Sequence, residues 1–300
     1  MEPCFDCPIM CGALRSNNET GVCGVGGRSF VCRAARHYYE EPPISGARGS
    51  GAVFFAGCNM RCVFCQNMDI SRSGGEGLAG AKPVDADELA SIMLRFEELG
   101  AHNVNLVTPT PHIRLIESAV PKARARGLTL PIVFNTNGYE RAETLRRLEG
   151  LIDIYLPDLK YVSPVLSERY SGRSDYFEVA SEAVTEMHRQ VGLLKTDEEG
   201  IAVSGMIIRH LVLPLAVDDT RRVLDFIAGS LSKDVSVSLM SQYTPPEEPL
   251  PYPELNRRLT KEEYDRAVDY LYLCGWENGY VQELSSAQSE YTPDFDGTGV

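Results

Sequence analysis

Along most of the chain, short apolar runs alternate with longer stretches in which apolar residues recur every three or four positions. Residues 51–56, 104–107, 131–134, 151–156, 205–213 and 235–240 are largely apolar, bounded by polar or glycine-rich segments, and read as strands. Between and after them lie helical patterns at 85–99, 113–126, 140–148, 166–170, 175–194, 218–228 and 260–274. In the first of these, Leu89, Ile92, Met93 and Phe96 fall at i, i+3, i+4 and i+7, and Gly100 stops the helix. The last opens on Thr260 with Glu263 three positions on, the sequence signature of a capping box. Residues 69–83, including Gly74-Gly75-Glu76-Gly77, are polar and read as a surface loop. Repeated strand–helix units imply an α/β protein with parallel strands and right-handed crossovers.

Such an architecture predicts where chemistry gathers, because β/α barrels carry their sites at the C-terminal ends of the strands. Those ends hold Cys58, Cys62 and Cys65, then Thr108 and Thr110, Asn135 and Asn137, Asp158 and Lys160, and Gln242. Each group alone could cap an ordinary loop; polar groups at successive strand ends predict a site.

The first group is the most specific. Gly57-Cys58-Asn59-Met60-Arg61-Cys62-Val63-Phe64-Cys65-Gln66-Asn67 places three cysteines at C-x3-C-x2-C spacing directly after a strand. Zinc takes four ligands, commonly in paired CxxC units, and no histidine or fourth cysteine lies nearby in sequence. A [4Fe-4S] cluster uses thiolate ligands, and three thiolates leave one of its irons open to a small molecule. Phe64, immediately before the third cysteine, suits a ring packed beside that molecule.

Residues 1–48 form a cysteine-rich module ahead of the main domain at 49–285, with a tail at 286–300. Cys4, Cys7, Cys11 and Cys23 stand among prolines and glycines in a segment too short and loop-rich to bury a core, so a metal would supply folding energy. Four thiolates would close a zinc site or hold an auxiliary cluster, and both readings stand. Cys32 lies outside that spacing and reads as a buried small hydrophobe. Residues 40–46, Glu-Glu-Pro-Pro-Ile-Ser-Gly, read as an extended connector.

Composition changes this picture little. The 300 residues are 43% hydrophobic and 24% charged, ordinary for a globular protein. The net charge of −13 argues against nucleic-acid binding, which needs a positive field. No apolar run approaches membrane-span length, and the N-terminus has neither the basic region nor the apolar core of a secretory signal. Nine cysteines without an export signal favour metal ligation in a reducing cytoplasm over a disulfide framework.

The motifs GCNMRCVFCQN, NLVTPT, NTNGY, DIYLPDLKY, RHLVLP and SLMSQYTP make the chain resemble the radical S-adenosylmethionine (SAM) enzymes, nearest the pyruvate formate-lyase activating enzyme-like group. The resemblance covers nearly the full length and implies a partial (β/α)6 TIM-like barrel. It implies that Cys58, Cys62 and Cys65 hold a [4Fe-4S] cluster that reductively cleaves SAM to a 5′-deoxyadenosyl radical. Thr108, Pro109 and Thr110 stand where the family has a Gly-Gly-Glu that holds the SAM amine; here threonine side chains and free carbonyls would replace it. Asn135 stands where glycyl-radical activases carry an aspartate, and Asn137 lies in the matching TNG segment. Asp158 and Lys160 match the segment that meets the SAM carboxylate and ribose, and Gln242 a strand end near the adenosyl group. The implied partners are SAM, a one-electron reductant such as flavodoxin or ferredoxin, and a substrate that is either a protein glycine or a small molecule. The alternative is a non-catalytic iron–sulfur or zinc scaffold or electron carrier, for which the missing Gly-Gly-Glu speaks.

Individual residues divide further. Arg209 and His210 alternate in face on one strand, so one of them points inward; His210 reads as structural. His112 follows Thr-Pro-Thr-Pro near the expected SAM side and is a candidate acid or base. Cys274 reads as core, and Trp276, Tyr280 and Phe295 as anchors of the C-terminal segment. The last stretch, Ser285 to Val300, which contains Tyr291 to Asp296, would close over the barrel mouth or form an ordered tail.

Overall fold

The computed structural model describes residues 3–277, 279–284 and 292–300. Strands and helices follow in the order β1 (Ser29–His37), α1 (Pro42–Ser45), β2 (Ser50–Phe55), α2 (Met68–Ser71), β3 (Lys82–Val84), α3 (Ala86–Glu98), β4 (Val104–Val107) and α4 (Ile113–Ala125). The chain continues with β5 (Ile132–Thr136), α5 (Ala142–Arg147), β6 (Ile154–Pro157), α6 (Pro164–Ser171), α7 (Tyr176–Val191) and β7 (Lys195–Thr196). It ends with β8 (Ala202–Leu211), α8 (Val217–Phe226), β9 (Ser236–Met240), α9 (Lys261–Leu273) and β10 (Gly279–Val281).

The sheet runs β10-β9-β8-β6-β5-β4-β2-β1-β3, with β7 paired to β8 off this path. From β2 through β10 along this path every pairing is parallel; β1 pairs antiparallel with both β2 and β3. The six apolar runs are all in this sheet. Every residue of β2, β4, β5, β6 and β9 is buried, which is why these strands are read as apolar runs rather than as an alternation. The sheet path does not close on itself, so the barrel is partial.

Helix boundaries follow local chemistry. Asp85 accepts from the amides of Asp87 and Glu88, and Glu88 accepts from the Asp85 amide, so two of the first-turn donors of α3 and the cap's own amide are satisfied. Thr260 and Glu263 make the same reciprocal pair at α9. Leu89, Ile92, Met93 and Phe96 are the buried face of α3. Each contributes roughly 1.5–3 kcal/mol of transfer free energy when fully buried.

Three features differ from the sequence reading. Strand β1 lies inside the cysteine-rich segment and belongs to the main sheet, paired with β2 from Val31↔Phe55 to His37↔Ser50. Residues 69–83 are not all loop: the last three residues of α2 and the first two of β3 fall there. The glycine run is pinned, not free. A Cβ on Gly74 would lie 1.7 Å from the Gly24 carbonyl oxygen, so two backbones meet where no side chain fits.

Residues 3–30 are fastened to the barrel by polar contacts. Asp6 is buried and paired with Arg114 (2.8 Å) and Arg147 (2.7 Å), at the starts and ends of α4 and α5 respectively. Arg15 donates to the Pro111 carbonyl (2.6 Å), Arg61 to the Val22 carbonyl (2.8 Å), and the Cys58 amide to the Cys23 carbonyl (3.3 Å). At the other end of the chain, residues 292–300 run beside β1, with Ala34 donating to Thr298 and Gly297 to Cys32, both at 2.9 Å. Phe295 packs edge-on against Phe54, as its reading as an anchor implies. Tyr291 lies outside the described residues. Trp276 is buried and donates to the Val235 carbonyl, 2.9 Å.

Candidate functional site

At the C-terminal ends of the parallel strands lies a cavity of about 230 Å³. Every strand-end group expected there contributes to its lining: Cys58, Cys62 and Cys65 after β2, Thr108 after β4, Asn135 and Asn137 around the end of β5, Asp158 and Lys160 after β6, and Gln242 after β9. Phe64 lines it too, its ring edge-on to Tyr243 at 6.0 Å between centroids.

The three thiols are each met by hydrogen-bond donors. The Met60 amide and Asn137 Nδ2 approach Cys58 Sγ at 3.4 Å, the Ser171 hydroxyl approaches Cys62 at 3.1 Å, and the Ser71 hydroxyl approaches Cys65 at 3.5 Å. Donors aimed at sulfur suit thiolates, and hydrogen bonds to sulfur tune a metal cluster. Burial pushes the free Cys58 thiol up to about 12, so a metal ion must displace its proton. Burial also raises Cys62, against the pull of Lys160 nearby.

Beside the thiols is a closed polar network. Arg209 donates from Nε to Asp158 Oδ1 (3.0 Å), from Nη1 to Glu40 Oε2 (3.2 Å) and from Nη2 to Asn135 Oδ1 (2.5 Å). Glu40 Oε1 accepts from Asn105 (2.9 Å) and Asn135 (3.1 Å), and Lys160 donates to Asp158 Oδ2 (2.5 Å). Burial alone would raise the Asp158 carboxyl, but Arg209 and Lys160 together hold it below the usual carboxylate range. Lys160 is held above the ordinary lysine value: burial works against its charge, and Asp158 and Cys62 outweigh burial.

Thr108 sits in the left-handed region (φ 57°), rare for a branched residue, and lines the cavity. Pro109 and Thr110 do not line it. Thr110 is buried, and its hydroxyl donates to Glu140 Oε1 at 2.6 Å, where Thr136 donates as well. His112 is also turned away. It stacks on Phe55 and bonds the Ala56 carbonyl (2.8 Å), and burial lowers it to about 4, so it is a neutral structural residue and not a site acid or base. His210 bridges the Leu159 carbonyl (2.7 Å) and the Thr220 hydroxyl (2.9 Å), leaving Arg209 as the inward-facing residue of the pair.

Glu40, Arg209 and Glu140 are the functional candidates that sequence reasoning missed or left undecided. Glu40 stands in what reads as a connector, and its signal is only the doubled acid before two prolines. Glu140 follows the NTNGY motif and reads as the start of a helix.

In the N-terminal segment Cys4, Cys11 and Cys23 lie near enough to Cys7 to act on it electrostatically. Burial pushes Cys7 up to about 12, with Cys23, Cys4 and Cys11 adding to the shift from close by. Gly21 lies between two of the sulfurs: its Cβ would stand 3.1 Å from Cys11 Sγ and 3.5 Å from Cys23 Sγ. Among the described residues no set of three or more Cys, His, Asp or Glu side chains converges on a single-ion position. The zinc reading therefore gains no support. Among the described residues, too, no helix is long and apolar enough to cross a membrane.

Fold and site together define a partial β/α barrel with a cluster-type thiol loop at one end of a charged cavity. The chain belongs to the radical SAM superfamily, which residues 52–227 match, and whose members cleave SAM at an iron–sulfur cluster. It is 34% identical over 271 residues to an uncharacterized protein of Methanocaldococcus jannaschii, covering 89% of this chain and 73% of that one. A second uncharacterized protein of that organism is 23% identical over 269 residues, covering 85% and 73%. Among solved structures, Streptococcus suis SuiB bound to S-adenosylmethionine has the same fold at TM-score 0.50 and 16% identity, over 78% of this chain and 50% of that one. A domain of a pyruvate-formate lyase-activating enzyme from Bacteroides vulgatus aligns at TM-score 0.43 and 12% identity, over 60% of this chain and 99% of that one.

Proposed function

We propose that this protein is a radical SAM enzyme in which Cys58, Cys62 and Cys65 ligate the [4Fe-4S] cluster and the adjoining cavity holds SAM. The observation that carries the reading is the convergence of three donor-bonded thiols and the Asp158–Lys160 pair on one cavity. When bound, the cluster supplies one electron to the sulfonium of SAM, which breaks to methionine and a 5′-deoxyadenosyl radical that abstracts hydrogen from substrate. Lys160 is placed to neutralise the carboxylate of SAM through a charge-assisted bond. Asp158 accepts from the ribose or the amine. Thr108 offers the backbone of its left-handed turn to the ammonium, in place of a glutamate. Phe64 and Gln242 flank the adenosyl end, and Asn137 fixes the cysteine loop by donating to Asn59 Oδ1 at 2.8 Å. The barrel's task is to hold SAM in register and keep water out. The hydrogen donor is a protein glycine or a small molecule, and the reductant a flavodoxin or ferredoxin.

The test is anaerobic reconstitution with iron and sulfide, then dithionite and SAM, with 5′-deoxyadenosine measured beside a Cys62→Ala control. Product from the wild type that is lost in the control supports the reading. An iron-loaded wild type that neither binds SAM nor forms product would instead favour a scaffold or electron carrier.

A second reading concerns Cys4, Cys7, Cys11 and Cys23, which we take to hold an auxiliary iron–sulfur cluster. The favouring observation is the bond from the Cys58 amide to the Cys23 carbonyl, which sets the two cysteine groups side by side along the backbone. Two cubane clusters require about eight irons per chain against about four for one. Metal analysis of the wild type and of Cys7→Ala reads this directly, and zinc at one per chain would overturn it.

A further inference from the structure

A second cavity, of about 400 Å³, adjoins the first where the connection leaving β1 crosses to β8, β9 and β10. Tyr39, Glu40, Arg209, Met240 and Gln242 line both, so the two chambers share a wall. The second alone is lined by Glu41, Ser238, Tyr280 and Gln282. Glu41 is 8% exposed, and its Oε2 is buried with no hydrogen-bond partner among the described residues.

That carboxyl is out of balance with its surroundings. Among the described residues, the charged side chains facing the joined chambers are the carboxylates Glu40, Glu41 and Asp158 and the cations Arg209 and Lys160. Arg209 spends its donors on Asp158, Glu40 and Asn135, and Lys160 donates to Asp158. Neither reaches Glu41 with a hydrogen bond, although Arg209 and the Ser238 hydroxyl both act on it in the lowering direction. Burial raises Glu41 and the neighbouring Glu40 adds to the rise, while Arg209 pulls it down. Buried carboxyls of this kind are costly to ionise unless a cation or donor meets them. The walls around it are mixed: the rings of Tyr39 and Tyr280 and the side chain of Met240, with the amides of Gln242 and Gln282.

We infer that this chamber is the substrate subsite and that Glu41 receives a protonated amine of a small-molecule substrate whose apolar body lies along Tyr39, Tyr280 and Met240. The inference rests on the proposed SAM site only in that the neighbouring chamber is the source of the radical. A cation here supplies the hydrogen-bond donor and the positive charge that the two buried basic residues do not bring to Glu41 Oε2. The shared wall places such a substrate beside the adenosyl chamber, where a hydrogen atom can be taken from a carbon near the amine.

The experiment is anaerobic calorimetry on reconstituted, SAM-loaded protein with 2-phenylethylamine as probe, against 2-phenylethanol and 3-phenylpropionate of similar size. The amine is expected to bind at least tenfold more tightly than the alcohol, and the carboxylate not at all. Glu41→Gln is expected to remove the preference for the amine while leaving weak binding of the alcohol. Equal affinity for amine and alcohol in the wild type, no binding of the amine, or an undiminished preference in a folded Glu41→Gln protein would each overturn the proposal. The wild-type comparison needs no variant, so a Glu41→Gln chain that fails to fold leaves the result decisive. Formation of 5′-deoxyadenosine in the absence of any probe is read separately, so failure of the radical reading and failure of the amine subsite are distinguishable.

Discussion

Burial raises the Glu140 carboxyl to about 7, although Thr110 and Thr136 both donate to one of its oxygens. Its other oxygen is buried with no partner among the described residues. An ordinary glutamate titrates near 4.5, so between about 4.5 and 7 the folded chain holds a proton here that the unfolded chain has released. Stability must therefore fall as pH rises through that window, by at most about 3 kcal/mol. His112 and His210, lowered to about 4 by burial, act in the opposite sense, gaining stability as pH rises toward the ordinary histidine value. The clean measurement is thus a difference: urea unfolding of wild type and Glu140→Gln at pH 5 and pH 8. Glu140→Gln is expected to be more stable relative to wild type at pH 8 than at pH 5. An equal difference at both pH values would mean that Glu140 is ionised throughout. At this scale the sequence is a partial guide. Cysteine spacing singles out Cys58, Cys62 and Cys65, which the fold brings to one cavity, whereas a glutamate behind a loop carries no local signal. Its partners come from two separate places in the chain: Thr136 ends β5, and Thr110 lies in the turn after β4.

Elements were legible where their causes are local. The capping boxes of α3 and α9 and the apolar face of α3 are set within a few residues, so sequence and structure agree. Thr260→Ala is expected to cost about 1 kcal/mol, read as a lower urea midpoint with an unchanged slope. Strand β1 was hidden because its partners are distant: its register is set by β2 and β3, and its residues sit amid cysteines, glycines and arginines. The glycine run at 74–77 reads as surface loop for the same reason, since only the fold brings Gly74 against Gly24. Gly74→Ala has to force those backbones apart. Overpacking of this kind costs typically about 1–3 kcal/mol. The expected outcome is faster proteolysis within residues 1–28 and loss of metal from Cys4, Cys7, Cys11 and Cys23, with the Cys58 loop still loaded. Unchanged cleavage would show that the N-terminal module does not depend on this contact.

At the scale of the whole molecule, the open sheet leaves β10 and β3 as its two ends, and among the described residues no backbone ladder joins them. The interior is tied together instead by side chains. Glu40, on the connection leaving β1, reaches Asn105 of β4, Asn135 of β5 and Arg209 of β8, and Arg209 extends the tie to Asp158 after β6. The repeat of apolar runs makes the parallel order legible from sequence, but this tie joins residues up to 169 positions apart and has no sequence period. Arg209 is central to it. Its removal leaves Glu40 and Asp158 facing each other without their shared cation, and uncompensated buried charge costs about 3–5 kcal/mol. Arg209→Met is therefore expected to lower stability at pH 7 by about that amount. Adding Glu40→Gln should recover part of the loss, because it removes one of the stranded charges while keeping an acceptor for Asn105 and Asn135. The single Glu40→Gln change should cost less than Arg209→Met, since Asp158 and Asn135 still hold Arg209. Urea unfolding of the two single variants and the double variant closes the cycle. A double variant as unstable as the sum of the singles would mean that Arg209 acts by packing alone, and the barrel would then be held by its helices rather than by this interior charge.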